Sequence, residues 1–163
     1  MTWLEQVTTA FDANSAEVTE TFGELTVDVA PERWVTSLDT ARNTLGLTFF
    51  DWLSAVDEQA EGFNVVCHLY VPDQHNQLLI RTSLPPEFPR VATATEVFRG
   101  AAWHERETAE MFGIDFVGHP AQRHLYLPFA FEGHPLRKDF PLLAREVKPW
   151  PGLVDVEPMP GDD

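Results

Sequence analysis

Apolar positions along this chain change period twice: helical spacing near the start, strand alternation through the middle, and helical spacing again before a proline-punctuated end. Residues 3–11 carry the first helical pattern. Val18 and Phe22, then Leu25, Val27 and Val29, alternate with polar neighbours and predict a hairpin turning at Gly23. Pro31 opens a second helix carrying Trp34, Val35, Leu38 and Leu45, and Gly46 stops it. Segments 47–56, 63–71 and 78–84 are rich in β-formers and predict three strands, the last two joined by a short turn at 73–76. Pro85, Pro86 and Pro89 then interrupt the regular structure. Thr93 with Glu96 gives a capping-box pattern for a further helix that ends at Gly113. The expected fold class is α+β: a mixed β-sheet with helices packed on one face, followed by an extended Pro-rich C-terminal segment.

On a wheel of the last helix, Val97, Phe98, Ala101, Ala102, Thr108, Ala109 and Phe112 share one arc, and Glu105 falls in its middle. A carboxylate on the buried face needs a partner, because desolvation raises its pKa and an unpaired buried charge costs several kcal/mol. An Arg or backbone donors from the Pro-rich segment are expected to hold Glu105 and so fasten that segment to the helix. Arg99, Trp103, Arg106 and Glu110 form the opposite stripe, where cation-π and ion-pair contacts are within reach and a solvated or docked face is expected.

Eight of the 13 prolines lie after residue 118, and each removes a backbone donor and fixes φ. Residues 119–163 are therefore expected to be extended and mostly non-repetitive. Leu125, Tyr126, Leu127, Phe129, Phe131, Leu136, Phe140, Leu142 and Leu143 persist within them, more apolar residues than a disordered tail carries. The segment is expected to lie on a surface, its own domain's or a neighbour's. The reading divides the chain into a domain at 1–118, a docking segment at 119–148 and a flexible acidic Pro-rich tail at 149–163.

At 163 residues and 44% hydrophobic, one core is expected. A net charge of -15 argues against nucleic acid or an anionic membrane surface as a direct partner. The charge is uneven: residues 1–80 carry 13 acidic groups against Arg33 and Arg42, whereas the remainder carries 13 against 9 basic ones. One cysteine, Cys67, excludes an internal disulfide and a self-supplied iron-sulphur cluster, which takes about four thiolates, and it fits a reducing cytoplasm. Its place between Val66 and His68 in a strand suggests a buried, inert thiol. No apolar run reaches the ~18 residues needed to span a bilayer.

The candidate chemistry is thin. His104-Glu105 lacks the second His four positions after the first that a zinc-hydrolase helix needs, since Thr108 stands there. A freestanding enzyme built on His104, Glu105 and Glu107 is argued against for the same reason. His104 with Glu107 is a single i, i+3 pair, short of a di-iron site, so a hydrogen bond or a docked surface is expected. His119, His124 and His134 fall at no ligand spacing and suit turn or packing roles. Neither GxGxxG nor GxxxxGK occurs, so binding of NADH or FMN by this chain itself is not expected, nor are a metal or catalytic residues.

The block at 103–141 reads WHERETAEMFGIDFVGHPAQRHLYLPFAFEGHPLRKDFP. With Glu105-Arg106-Glu107, then Glu110-Met111-Phe112-Gly113 and later Gly133-His134-Pro135-Leu136-Arg137-Lys138-Asp139-Phe140-Pro141, it resembles the 30-kDa subunit family of respiratory complex I, the proton-pumping NADH:quinone oxidoreductase. Three positions depart from that family: Glu110 stands where Asp is usual, His124 where a second Arg often follows Arg123, and Phe129-Ala130 where acidic residues are common. The resemblance implies an accessory subunit of the hydrophilic arm, peripheral on the cytoplasmic side of the cell membrane, with membrane contact only through other subunits. It implies the large quinone-site subunit and a neighbouring iron-sulphur subunit as partners. FMN and iron-sulphur clusters would sit in other subunits, with quinone as acceptor. It also implies interface or structural roles for Glu105, Arg106, Glu107, Glu110, Arg123, Gly133, His134, Pro135, Arg137, Lys138, Asp139, Phe140 and Pro141. Arg137, Lys138 and Phe140 are expected to serve assembly more than the domain's own stability, and Glu105 a structural lock or a proton-linked network. The equivalent subunit of a membrane-bound hydrogenase or related dehydrogenase complex is the alternative.

Overall fold

The computed structural model describes residues 1–11 and 16–141. Helix α1 (Trp3–Phe11) is started by a reciprocal cap: the Glu5 N–H donates to the Thr2 hydroxyl, and the Thr2 N–H donates to the Glu5 carboxylate. Its Val7 and Phe11, four residues apart, point into the core.

Strands β1 (Glu17–Thr21) and β2 (Glu24–Val29) pair antiparallel around Phe22-Gly23. Both turn residues have positive φ, 52° and 83°, the geometry whose twist matches a two-residue hairpin. Phe22, expected within the alternating strand, sits in the turn instead, and its side chain is fully exposed. A 3-10 turn at Pro31–Arg33 leads into α2 (Trp34–Asn43), which buries Trp34, Leu38 and Ala41.

Strands β3 (Phe49–Asp57), β4 (Phe63–Val71) and β5 (Asn76–Leu84) complete a five-stranded sheet of order β1-β2-β5-β4-β3. It is mixed, because β2 and β5 run parallel while the other neighbours are antiparallel. Alternation is clean: Phe63, Val65, Cys67 and Leu69 of β4 face the core with Leu78, Ile80 and Leu84 of β5. The helices bury this one face, and the sheet and helices share a single hydrophobic cluster.

Two short strands, β6 (Arg90–Ala92) and β7 (Asp115–Val117), pair parallel on either side of α3 (Ala101–Phe112). Three residues are too few for alternation to register in a sequence. The capping box predicted at Thr93 and Glu96 does not form. The helix begins only after Gly100, with no side-chain cap; the Thr93 hydroxyl, seven residues earlier, donates to Glu105 and accepts the Thr95 N–H instead. The segment expected to be extended at 119–148 is irregular through residue 141; its last part and the tail expected at 149–163 lie outside the described residues. Among the described residues, no helix is long and apolar enough to cross a membrane.

Cys67 is wholly buried at the sheet centre, and burial pushes its thiol far above the ordinary value, with the neighbouring Glu105 charge acting in the same direction. A thiol reagent such as DTNB should therefore leave the native chain unlabelled and react with one thiol per chain in guanidinium chloride. Rapid labelling without denaturant would contradict this packing.

Candidate docking site at the end of the third helix

Helix α3 carries two buried carboxylates with different partners. Glu105 is completely buried; one oxygen accepts the Ala94 N–H at 2.6 Å and the other the Thr93 hydroxyl at 2.5 Å. Both donors belong to the chain leaving β6, so Glu105 is hydrogen-bonded as expected but fastens a different segment from the Pro-rich one. His119 Nε2 lies 3.9 Å from the same carboxylate. That ring is otherwise satisfied, with Nε2 3.0 Å from the Ala102 carbonyl and Nδ1 accepting the Ala121 N–H at 3.0 Å, a pairing that fixes its tautomer. Burial pushes the Glu105 carboxyl above its ordinary value; the bonds from Thr93 and Ala94 and the nearby His119 offset this only in part.

Glu110, expected on a stripe that is solvated or docked, is buried under the chain's own Pro-rich segment. Its carboxylate accepts three consecutive backbone N–H groups, from Leu125 and Tyr126 at 2.9 and 3.0 Å and from Leu127 at 2.6 Å. His124 Nδ1 adds a contact at 3.3 Å. Burial alone would raise this carboxyl, but the three N–H donors and His124 outweigh it and hold it below the ordinary value. The carboxylate that fastens the Pro-rich segment is therefore Glu110, and the physical device is the one expected of Glu105.

The same segment caps the helix. The last carbonyls of an α-helix have no partner within it. Here Glu110 O accepts from His134 Nδ1 at 2.8 Å, Met111 O from the Leu136 N–H at 3.2 Å, and Phe112 O from Arg137 Nε at 2.6 Å. Gly113 closes the helix with φ +74°, and a Cβ there would stand 2.5 Å from His134 Nε2 and 2.7 Å from Arg137 Nη2. The Met-Phe-Gly and Gly-His-Pro-Leu-Arg motifs are thus two halves of one contact. Arg137 also lies over the Phe63 ring, 5.0 Å from its centroid. One residue on, the Lys138 N–H donates to Asp57 at 2.7 Å, the chief reason the Asp57 carboxyl lies below its ordinary value. Depressed carboxyls stabilise the fold at pH above their unfolded values, so the Glu110 and Asp57 contributions are lost only as pH falls through the folded ones.

These contacts correct the expectation for Arg137, which is turned inward. Lys138 engages through its backbone while its side chain is exposed, as are Asp139 and Pro141. Phe140 stacks on Phe131 at 6.0 Å and lies against Gly133, whose φ is +95°. Arg106 lies 5.1 Å over Trp103 and donates to the carbonyls of Arg123 and His124 at 3.0 and 2.8 Å. Arg123 is exposed, and Pro135 and Glu107 are half-exposed. His104 does not pair with Glu107; its Nδ1 lies 3.3 Å from both the N–H and the carbonyl of Leu53 on the β3 edge. Among the described residues, no group of three or more potential ligands could hold a metal ion.

With the segment clipped in this way, Tyr126, Phe129 and Leu136 project outward from it, Phe129 with 97% of its surface exposed, and Trp103 is exposed on α3. Asp57 is a participant that the sequence does not single out, while Thr93 is expected there only as a helix cap and His119 only in a turn or packing role. Asp57 leaves only a trace in the sequence, an acid on the inward parity of β3 after Leu53 and Ala55.

The hydrogen bonding of α3 is open to test at both ends. Glu105→Gln keeps an acceptor for Ala94 and should be tolerated, whereas Glu105→Leu strands two buried donors and should cost about 2 to 5 kcal/mol. Equal melting of both variants and wild type would show that these bonds stabilise nothing. Arg137→Ala should lower the stability of the isolated chain by about 1 to 3 kcal/mol, read from chemical denaturation, because a helix-end carbonyl loses its donor.

The sequence model of the family described as respiratory-chain NADH dehydrogenase, 30 Kd subunit, matches residues 27–146. An NADH-quinone oxidoreductase subunit of Ruegeria pomeroyi is 42% identical over 125 residues, covering 74% of this chain and 62% of that protein. The corresponding protein of Bordetella avium is 37% identical over 144 residues, covering 77% of this chain and 70% of its own length. The chain thus spans under two thirds of the Ruegeria relative. Among solved structures, the trypsin-resistant fragment of Nqo5 is similar with a TM-score of 0.65 at 28% identity, over 72% of this chain and 98% of that one. A chain of an archaeal membrane-bound sulfane sulfur reductase shares the fold, with a TM-score of 0.72 at 22% identity over 85% of each chain. The matched region takes in both halves of the α3 clip, and the protein belongs to the family of the 30 Kd subunit of respiratory-chain NADH dehydrogenase.

Proposed function

We propose that this chain is an accessory subunit of the hydrophilic arm of an NADH:quinone oxidoreductase, supporting electron transfer from NADH to quinone coupled to proton translocation. Its partners are the large quinone-site subunit and a neighbouring iron-sulphur subunit. It carries no catalytic residue; FMN and the iron-sulphur clusters belong to other subunits. It sits peripherally on the cytoplasmic side of the membrane and touches lipid only through its neighbours.

The observation that carries this reading is the segment at 119–141. The N–H groups of residues 125–127 and 136, with the side chains of His134 and Arg137, are spent on α3, while Tyr126, Phe129 and Leu136 are left facing out. Large apolar side chains held outward on a preordered segment suit a protein interface, because little further entropy is lost on docking. The names of the relatives favour an NADH:quinone oxidoreductase over a membrane-bound hydrogenase as the host.

A triple change of Tyr126, Phe129 and Leu136 to alanine tests it. Melting of the isolated chain should stay within about 0.5 kcal/mol of wild type, since exposed positions contribute little to folding. The variant should be depleted from the membrane-associated complex, with NADH:quinone activity falling in proportion. Assembly and activity at wild-type levels would remove the docking role.

A further inference from the structure

We propose that the cleft between α3 and the clipped segment receives an acidic side chain from the partner subunit, held by Arg106 and Arg123. This rests on the docking role argued above and names the chemistry of its occupant. The cleft encloses about 300 Å³, enough for a carboxylate side chain with its stem, and Arg106, Glu110, Arg123, His124, Phe131 and His134 line it.

Its charge runs against the net charge of the chain. The chain as a whole carries -15, yet two arginines meet here with one carboxylate. That carboxylate, Glu110, is already occupied by three N–H groups and is almost wholly shielded from solvent, so it competes poorly for the arginines. Arg106 is preordered: stacking on Trp103 and bonds to two carbonyls fix its plane and use Nε and one Nη2 proton. Its Nη1 protons find no acceptor among the described residues, nor does the exposed Arg123 guanidinium. A fixed guanidinium fork with open donors matches a carboxylate in one plane.

Neighbouring side chains fit the same occupant. Phe131 walls the cleft, and Trp103 and Tyr126 are exposed close by in sequence to its arginines. A partner loop that placed an Asp or Glu in the cleft would thereby rest its apolar neighbours on aromatic surface. A carboxylate approaching the strongly acidic first 80 residues would be repelled, so the cleft also favours one register. Glu107 and Glu132 stand near it in sequence but do not line it.

Arg123 is the position to vary, since no fold contact of its side chain is at stake. In the assembled complex, Arg123→Lys, Arg123→Gln and Arg123→Glu should release the chain progressively faster during salt washing, Arg123→Glu by about tenfold or more, as truncated or reversed interfacial charge pairs do. A photo-crosslinking amino acid at position 123 should join the chain to a partner peptide containing Asp or Glu, and reversing that acid to Lys should restore retention of Arg123→Glu. Wild-type retention of Arg123→Glu would overturn the proposal, and so would a crosslink confined to this chain's own acidic end. If the Tyr126, Phe129 and Leu136 variant dissociates while Arg123→Glu does not, docking stands and the cleft's role falls; if both are retained, both fall.

Discussion

The carbonyls at the C-terminal end of α3 are the constraint on which the rest of the site depends. A helix that ends inside a protein must find donors for its last turn. Gly113 serves one carbonyl, that of Ala109, and the Pro-rich segment supplies the next three through a His side chain, a backbone N–H and an Arg side chain. This requirement fixes the identity of Gly113 twice over. It needs a positive φ to close the helix, and a Cβ would occupy the space where His134 and Arg137 reach past it. Each hydrogen bond contributes only about 0.5 to 1.5 kcal/mol net, but a buried carbonyl left without a donor costs more, so the helix end and the segment are kept together largely by what separation would leave unpaired.

Glu105 and Glu110 show how position on one helix decides the fate of a carboxylate. Five residues apart, they point roughly 140° away from each other. Glu105 points into the core with two donors, and desolvation wins, so its carboxyl is raised. Glu110 points at the clipped segment with three backbone donors and a His, and hydrogen bonding wins. α3 is therefore a middle layer, packed on the sheet by one side and covered by the segment on another. Only the stripe through Trp103 and Arg106 is left for contact with other molecules.

That layering explains what the sequence makes legible and what it does not. Alternation in β4 and β5 is nearly unbroken, so their limits are readable to within about two residues. The burial of Glu105 is readable because apolar neighbours surround it on the wheel. Its partners are not, since Thr93 and Ala94 sit in an irregular turn whose geometry has no periodic signature. Glu110 is misplaced by the wheel for a related reason: a wheel divides residues between one core and solvent, and it has no way to represent a second buried side made by a segment arriving 15 residues later. Phe22 fails for a local reason, because the twist of a two-residue hairpin places the turn one position earlier than alternation suggests.

The outward face of the segment follows from how its inward face is held. Where the chain bends so that Glu110 binds three successive N–H groups, Leu125 and Leu127 are half-buried and Tyr126 is left outside. The same happens at the helix end. His134 and Arg137 turn inward to cap carbonyls, the backbone N–H of Leu136 turns inward between them, and the Leu136 side chain has nowhere to go but out. Exposed apolar surface here is therefore a consequence of satisfying a polar helix end, and a partner can use it because the groups that create it are already fixed before the partner arrives.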